Sequence, residues 1–119
     1  MLLAYLSRTN NVKKIADKLE RLGVEVIRIS EGLLLDQEFC LLTYTDMLGQ
    51  VPELVTQFLE KNRFNLKAVA GSGNRNFGNN FCGAAKKIHS IYKVPLVAEF
   101  ELSGDDVSIE KFGDFLKSN

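Results

Sequence analysis

Three short stretches, residues 2–6, 39–43 and 66–70, are apolar at nearly every position. A strand with one solvated face alternates polar and apolar residues. A strand without that alternation reads as buried, as in a parallel sheet. Between these runs the apolar residues recur at helical spacing. Val12, Ile15, Ala16, Leu19 and Leu22 mark one helix, with Gly23 as its C′ residue. Leu54, Val55, Phe58 and Leu59 mark a second, with Pro52 suited to its first helical position. A third runs from Phe81 to Tyr92. Val24, Val26, Ile27 and Ile29 suggest a more alternating strand nearer an edge, and Leu33 to Leu35 are expected to cover the sheet. Residues 96–100, after Pro95, read as a fifth strand. Ser103-Gly104-Asp105-Asp106 supplies capping oxygens for a last helix carrying Val107, Ile109, Phe112, Phe115 and Leu116.

Strands alternating with helices imply an α/β fold: a five-stranded parallel sheet with right-handed crossovers and helices on both faces. Strand order 2-1-3-4-5 fits best. At 119 residues the chain is read as a single domain, 1–119, with a real core. Lys+Arg and Asp+Glu number 15 each, so nothing in the charge points to nucleic acid. No apolar run approaches the roughly 20 residues that span a bilayer. The N-terminal run lacks a basic region and ends early at Ser7, unlike a signal peptide. Cys40 sits in an apolar run and no C-x-x-C occurs, so a reduced core thiol and a cytoplasmic location are expected. His89 is the only histidine and no ligand cluster exists, so no metal site is expected.

In that strand order the loops after strands 1, 3 and 4 open on one edge of the sheet, where open α/β proteins bind ligands. The first is Ser7-Arg8-Thr9-Asn10-Asn11-Val12. Its hydroxyls, amide and free helix-start N–H groups make an anion site fit for a phosphate, although a simple N-cap needs only one such residue. The second is Thr43-Tyr44-Thr45-Asp46-Met47-Leu48-Gly49-Gln50. Gly49 permits a peptide flip there, and Tyr44, Met47 and Leu48 can form an apolar wall, though core packing explains Tyr44 equally well. The third spans residues 71–83, with Gly71, Gly73 and Gly78 able to take positive φ, several side-chain amides, and an exposed ring at Phe77 suited to a flat ligand. An ordinary surface turn accounts for this loop alone equally well. G-x-G-x-x-G is not satisfied, because Asn76 stands where the third glycine belongs, so a dinucleotide site is disfavoured. A phosphate cradle and two walls for a planar ring suit flavin mononucleotide (FMN). Arg8 and Arg75 lie on the same edge, facing phosphate, a partner's carboxylates or solvent.

Over nearly its whole length the chain resembles the NrdI family, the flavodoxin-like activators of class Ib ribonucleotide reductase. Ser7 to Val12 is similar to that family's S-x-T-G-N-V phosphate loop. The run Ala70-Gly71-Ser72-Gly73-Asn74-Arg75-Asn76-Phe77-Gly78 is the most specific match, followed by Phe81-Cys82, Val94-Pro95 and Phe100-Glu101-Leu102-Ser103-Gly104. The resemblance implies a flavodoxin-like sheet that binds FMN, with no catalytic residue of its own. The cofactor-binding residues it implies are Ser7, Arg8, Thr9, Asn10, Asn11 and Val12; Thr43, Tyr44, Thr45, Leu48 and Gly49; and Ser72, Gly73, Asn74, Phe77, Gly78, Phe81 and Cys82. Asn10 replaces the usual glycine of the phosphate loop, a substitution that left-handed geometry tolerates. The second loop is brief.

The resemblance further implies that the reduced flavin reacts with O2 and delivers a superoxide-type oxidant to a dimanganese site on the reductase small subunit (NrdF-like), a flavodoxin/flavin reductase or other reductant supplying electrons. Compared with ordinary flavodoxins, Asn74 stands where an acidic residue is common. Fewer carboxylates near an anionic reduced ring favour its formation; Asp46 acts the other way. Cys82 begins the third helix, where a thiolate is favoured, but with no resolving cysteine nearby it is read as packing near the ring.

The alternative is a general one-electron-transfer flavodoxin, against which the neutral charge argues mildly. A receiver-type signalling module needs an acidic pair after strand 1 and an aspartate ending strand 3; Ser7-Arg8 and Thr43-Tyr44 occupy those places. A cysteine phosphatase needs an arginine six residues after its cysteine, and Asp46 and Ile88 stand there instead.

Overall fold

A computed structural model describes residues Met1–Asn119. Along the chain it holds β1 (Leu2–Leu6), α1 (Asn11–Arg21), β2 (Val26–Arg28), β3 (Phe39–Tyr44), α2 (Glu53–Asn62), β4 (Leu66–Gly73), α3 (Gly83–Tyr92), β5 (Leu96–Glu101) and α4 (Asp106–Ser118). Short 3₁₀ turns at Arg63–Asn65 and Arg75–Asn80 flank β4. The strands form one five-stranded sheet in the order β2-β1-β3-β4-β5, and every pairing is parallel. No helix is long and apolar enough to cross a membrane.

The largely apolar runs have the expected cause. Leu3, Tyr5, Cys40, Leu42, Ala68 and Ala70 meet Val12, Ile15, Leu19, Ile109, Phe112 and Leu116 of α1 and α4. Their neighbours Leu2, Ala4, Leu6, Phe39, Leu41 and Val69 meet Val55, Phe58, Leu59, Ala85 and Ile88 of α2 and α3. Because side chains alternate across a strand, both faces of the three central strands require apolar residues. Each face is pinned by a tilted aromatic pair: Phe100–Phe112 at 5.6 Å and Phe39–Phe58 at 5.3 Å.

Helix ends follow local chemistry. α1 closes in a Schellman motif, with Val24 N–H on Leu19 O and Gly23 N–H on Glu20 O, both at 3.0 Å. Gly23 stands at φ +95, a geometry that costs a residue with a Cβ about 1–2 kcal/mol. Asp105 caps α4 by accepting from Ser108 N–H at 2.8 Å.

Several sequence expectations shift. Leu22 caps α1 and is partly exposed, since the Schellman turn swings it off the apolar stripe. Pro52 is the N-cap of α2 with ψ 139, one residue before the first helical position. Leu33 and Leu35 pack on the second core, but Leu34 points to water. Buried Asn62 holds that connection, its amide bonding Leu35 N at 2.8 Å and Leu33 O at 2.9 Å. Val107 is exposed on the outer side of α4.

The largest change concerns the glycine-rich stretch. Gly71-Ser72-Gly73 is not loop but the end of β4, and α3 starts only at Gly83. Neither Gly71 nor Gly73 has positive φ; of the three glycines named for that property, only Gly78 does, at +56. Gly71 and Gly73 serve close packing instead. A Cβ on Gly71 would sit 2.7 Å from Ala85 Cβ, and one on Gly73 would sit 2.8 Å from Cys82 N.

Candidate functional site

At the C-terminal ends of β1, β3 and β4 the three loops enclose a cleft of about 540 Å³. Its first wall is the turn from β1 into α1. Asn10 stands there at φ 70, in left-handed geometry, and makes no side-chain cap. Ser7 Oγ accepts from Lys13 N–H at 3.1 Å, and Arg28 reaches across from β2 to Ser7 O at 3.0 Å. The first N–H groups of a helix have no intrahelical partner, and the first turn of α1 carries no acidic residue. Thr9 and Asn11 add a hydroxyl and an amide on the cleft side. This end of α1 is therefore open to an anion.

The second wall is a tight hairpin. Asp46 and Gln50 exchange two backbone hydrogen bonds of 2.8 and 2.7 Å, with Met47 at φ 43 and Gly49 at φ 89 between them. Thr45 Oγ1 accepts from Ala84 N–H at 3.1 Å, supplying the cap that α3 lacks from its own N-cap residue. A Cβ on Gly83 would lie 2.9 Å from Gly49 Cα, and one on Gly49 would lie 2.8 Å from Asn80 Oδ1, so the two glycines let this hairpin rest directly on the start of α3 and on the turn before it.

The third wall combines the end of β4 with the 3₁₀ turn. Asn74 Oδ1 accepts from Asn76 N–H at 2.9 Å, and Phe77 projects with 56% of its surface exposed. Ser72 Oγ donates to Leu102 O, and Leu102 N–H donates to Gly73 O at 2.8 Å, which brings the turn after β5 to the same rim. Met47 (75%), Leu48 (75%), Phe77 and Leu102 (44%) are among the few large apolar side chains left exposed, and all four line this cleft. Large apolar side chains held out of the core at one concave place mark a binding site.

Of the residues assigned to cofactor binding from sequence, Ser7, Arg8, Thr9, Asn11, Val12, Tyr44, Thr45, Leu48, Ser72, Gly73, Asn74 and Phe77 share the lining of this cleft. The structure places Asn10, Thr43, Gly49, Gly78, Phe81 and Cys82 off the lining. Thr43 is buried in β3. Asn10, Gly49 and Gly78 shape the turns through their positive φ. Phe81 lies under two cations, Arg75 at 4.7 Å and Lys86 at 5.6 Å. Met47, read from sequence only as part of an apolar wall, and Asn80 and Leu102 line the cleft without having been assigned to the cofactor. Leu102 follows the fifth strand, whose loop carried no glycine-rich or amide-rich signal for a wall.

Cys82 sits deeper than the rim. It is buried behind β4, its Sγ 3.9 Å from Phe100 O. Burial first, and Glu99 second, push its thiol up to about 12, so desolvation outweighs any help from the helix start. The unfolded chain ionises this group near 9.0. Its contribution to stability is complete below that pH and is lost as pH rises towards 12. Cys40 is also buried, and burial raises its thiol too. In Ellman titration at pH 8 the native protein will leave both cysteines unmodified, and both will react in urea. Rapid labelling of one thiol in the native protein would contradict this.

The doubly wound sheet and the rim cleft define a flavodoxin-like protein. A solved short-chain flavodoxin associated with a PDU bacterial microcompartment superposes with a TM-score of 0.73 at 22% identity, covering 98% of this chain and 95% of that one. Residues 3–114 match the family described as NrdI Flavodoxin like. Relatives named Protein NrdI are 39% identical over 112 residues in Macrococcus caseolyticus (94% of this chain, 85% of that protein) and 41% identical over 110 residues in Bacillus licheniformis (92% and 82%). The SPbeta prophage-derived protein NrdI of Bacillus subtilis is 37% identical over 110 residues, 92% of this chain and 85% of that protein. The chain belongs to the NrdI flavodoxin-like family, FMN flavoproteins tied to ribonucleotide reductase. The donor set fits that cofactor: a carboxylate-free helix start can take the phosphate, and Tyr44, Met47, Leu48, Phe77 and Leu102 offer the apolar surface a ring system needs.

Proposed function

We propose that the protein holds FMN in this cleft, takes electrons from a flavodoxin/flavin reductase, and passes superoxide, formed by one-electron transfer to O2, to the small subunit of a class Ib ribonucleotide reductase, where the oxidant assembles the dimanganese–tyrosyl radical cofactor. The observation that carries this reading is the meeting, in a member of this family, of a carboxylate-free helix start with exposed apolar walls at one rim.

In this reading Thr9, Asn11 and the first N–H groups of α1 bind the phosphate, and Ser7 braces their turn from within. Tyr44 and Phe77 bound the ring, and Met47 and Leu48 shield it from water. Thr45 keeps the second loop in place through its bond to Ala84 N–H. The exposed hairpin and Phe77 give a small-subunit partner an apolar rim to dock against.

The test mixes FMN-loaded, reduced protein with O2 and a manganese-loaded class Ib small subunit, and follows the tyrosyl radical by electron paramagnetic resonance. Radical yield should depend on the protein. An equal yield from free reduced FMN would contradict the proposal.

A further inference from the structure

The cleft lining contains no carboxylate and a single arginine, Arg8. The nearest carboxylate in the second loop, Asp46, lies between the lining residues Thr45 and Met47. Arg8 ion-pairs with it across the gap between the first and second loops. The same guanidinium sits over the Tyr44 ring at 4.9 Å, so it is held twice, by charge and by stacking. With side chains 56% and 30% exposed, the pair contributes little to folding. Its placement bears on the cleft instead. The carboxylate that ends β5 is handled likewise: Arg75 pairs with Glu101 and lies over Phe81 at 4.7 Å.

We propose that the Arg8–Asp46 pair is a charge-cancelling clasp, which removes Asp46 from the field of the cleft and so lets the site hold reduced flavin as well as oxidised flavin. This rests on the FMN reading of the cleft. Two-electron reduction of FMN with uptake of one proton adds one negative charge to the ligand. An unpaired carboxylate on the adjoining turn opposes that charge through partly excluded solvent, while a paired one does not. Arg8 is thus a positioning residue for Asp46 as much as a cation in its own right.

The experiment compares the parent protein with Arg8→Gln, Asp46→Asn and the double variant. The affinity for oxidised FMN is read by flavin fluorescence. The two-electron midpoint of the bound flavin is read by anaerobic dithionite titration against a reference dye, dithionite supplying both electrons. Arg8→Gln should shift the ratio of reduced to oxidised affinity about tenfold towards oxidised flavin, which is about 30 mV for a two-electron couple. Asp46→Asn should shift it the opposite way, and the double variant should return to within about threefold of the parent. Equal shifts in Arg8→Gln and the double variant would overturn the clasp, because Arg8 would then act by its own charge alone. Unchanged midpoints in all three variants, with FMN bound, would overturn it as well. A parent protein that binds no FMN would overturn the functional reading, and this inference with it.

Discussion

Replacing Asn11 by aspartate will leave the protein at least as stable as before and remove most of its grip on FMN. Asn11 is the first residue of α1, whose first turn carries no acidic side chain. A carboxylate there interacts favourably with the helix start by about 0.3–1 kcal/mol. The same carboxylate would occupy the place assigned to the phosphate, beside Thr9 and the free N–H groups. A phosphate dianion held near an added negative charge in a partly enclosed site loses roughly 2–3 kcal/mol, or about 100-fold in Kd. The two effects have opposite signs, which separates this outcome from general damage. Urea unfolding checks the first, and fluorescence titration with FMN checks the second. A variant that binds FMN like the parent would show that the phosphate does not sit at α1.

The largest loss of stability is expected from Phe39→Ala. Phe39 is fully buried at the start of β3, and its ring lies 5.3 Å from that of Phe58 on α2. Truncation removes the transfer free energy of the ring and leaves a cavity that close-packed neighbours cannot fill, a cost of about 3–5 kcal/mol. For a chain of this size that corresponds to a drop in Tm of roughly 10–20 °C, measurable by calorimetry. Phe39 lies at the opposite end of β3 from Tyr44 and the cleft. The folded variant should therefore keep its affinity for FMN. Lost affinity in the folded variant would mean that the two ends of the sheet are coupled.

The sheet was legible because its central strands are buried on both sides, so 2–6 and 39–43 carry a nearly unbroken apolar signal that few other structures produce. Strand order followed from the strand count, and with it the shared rim. The boundary at Gly71 was not legible. Glycine signals positive φ and close packing alike, and only the approach of Ala85, on a helix formed later in the chain, decides between them. Leu102 was missed for a related reason: its place at the rim depends on the Gly73 carbonyl of a neighbouring strand. The pairing of Arg8 with Asp46, far apart in sequence, is likewise a product of topology. Cys82 shows a local rule overruled, since a helix start favours a thiolate only when the sulfur faces it and stays solvated.

The most direct measurement is a pair of titrations of the purified, flavin-free protein, one with FMN and one with riboflavin, which lacks only the phosphate. If the turn from β1 into α1 grips the phosphate while the other walls hold the ring, both ligands bind, and FMN binds at least about 100-fold more tightly. Equal affinity for the two, or no binding of either, would contradict the account.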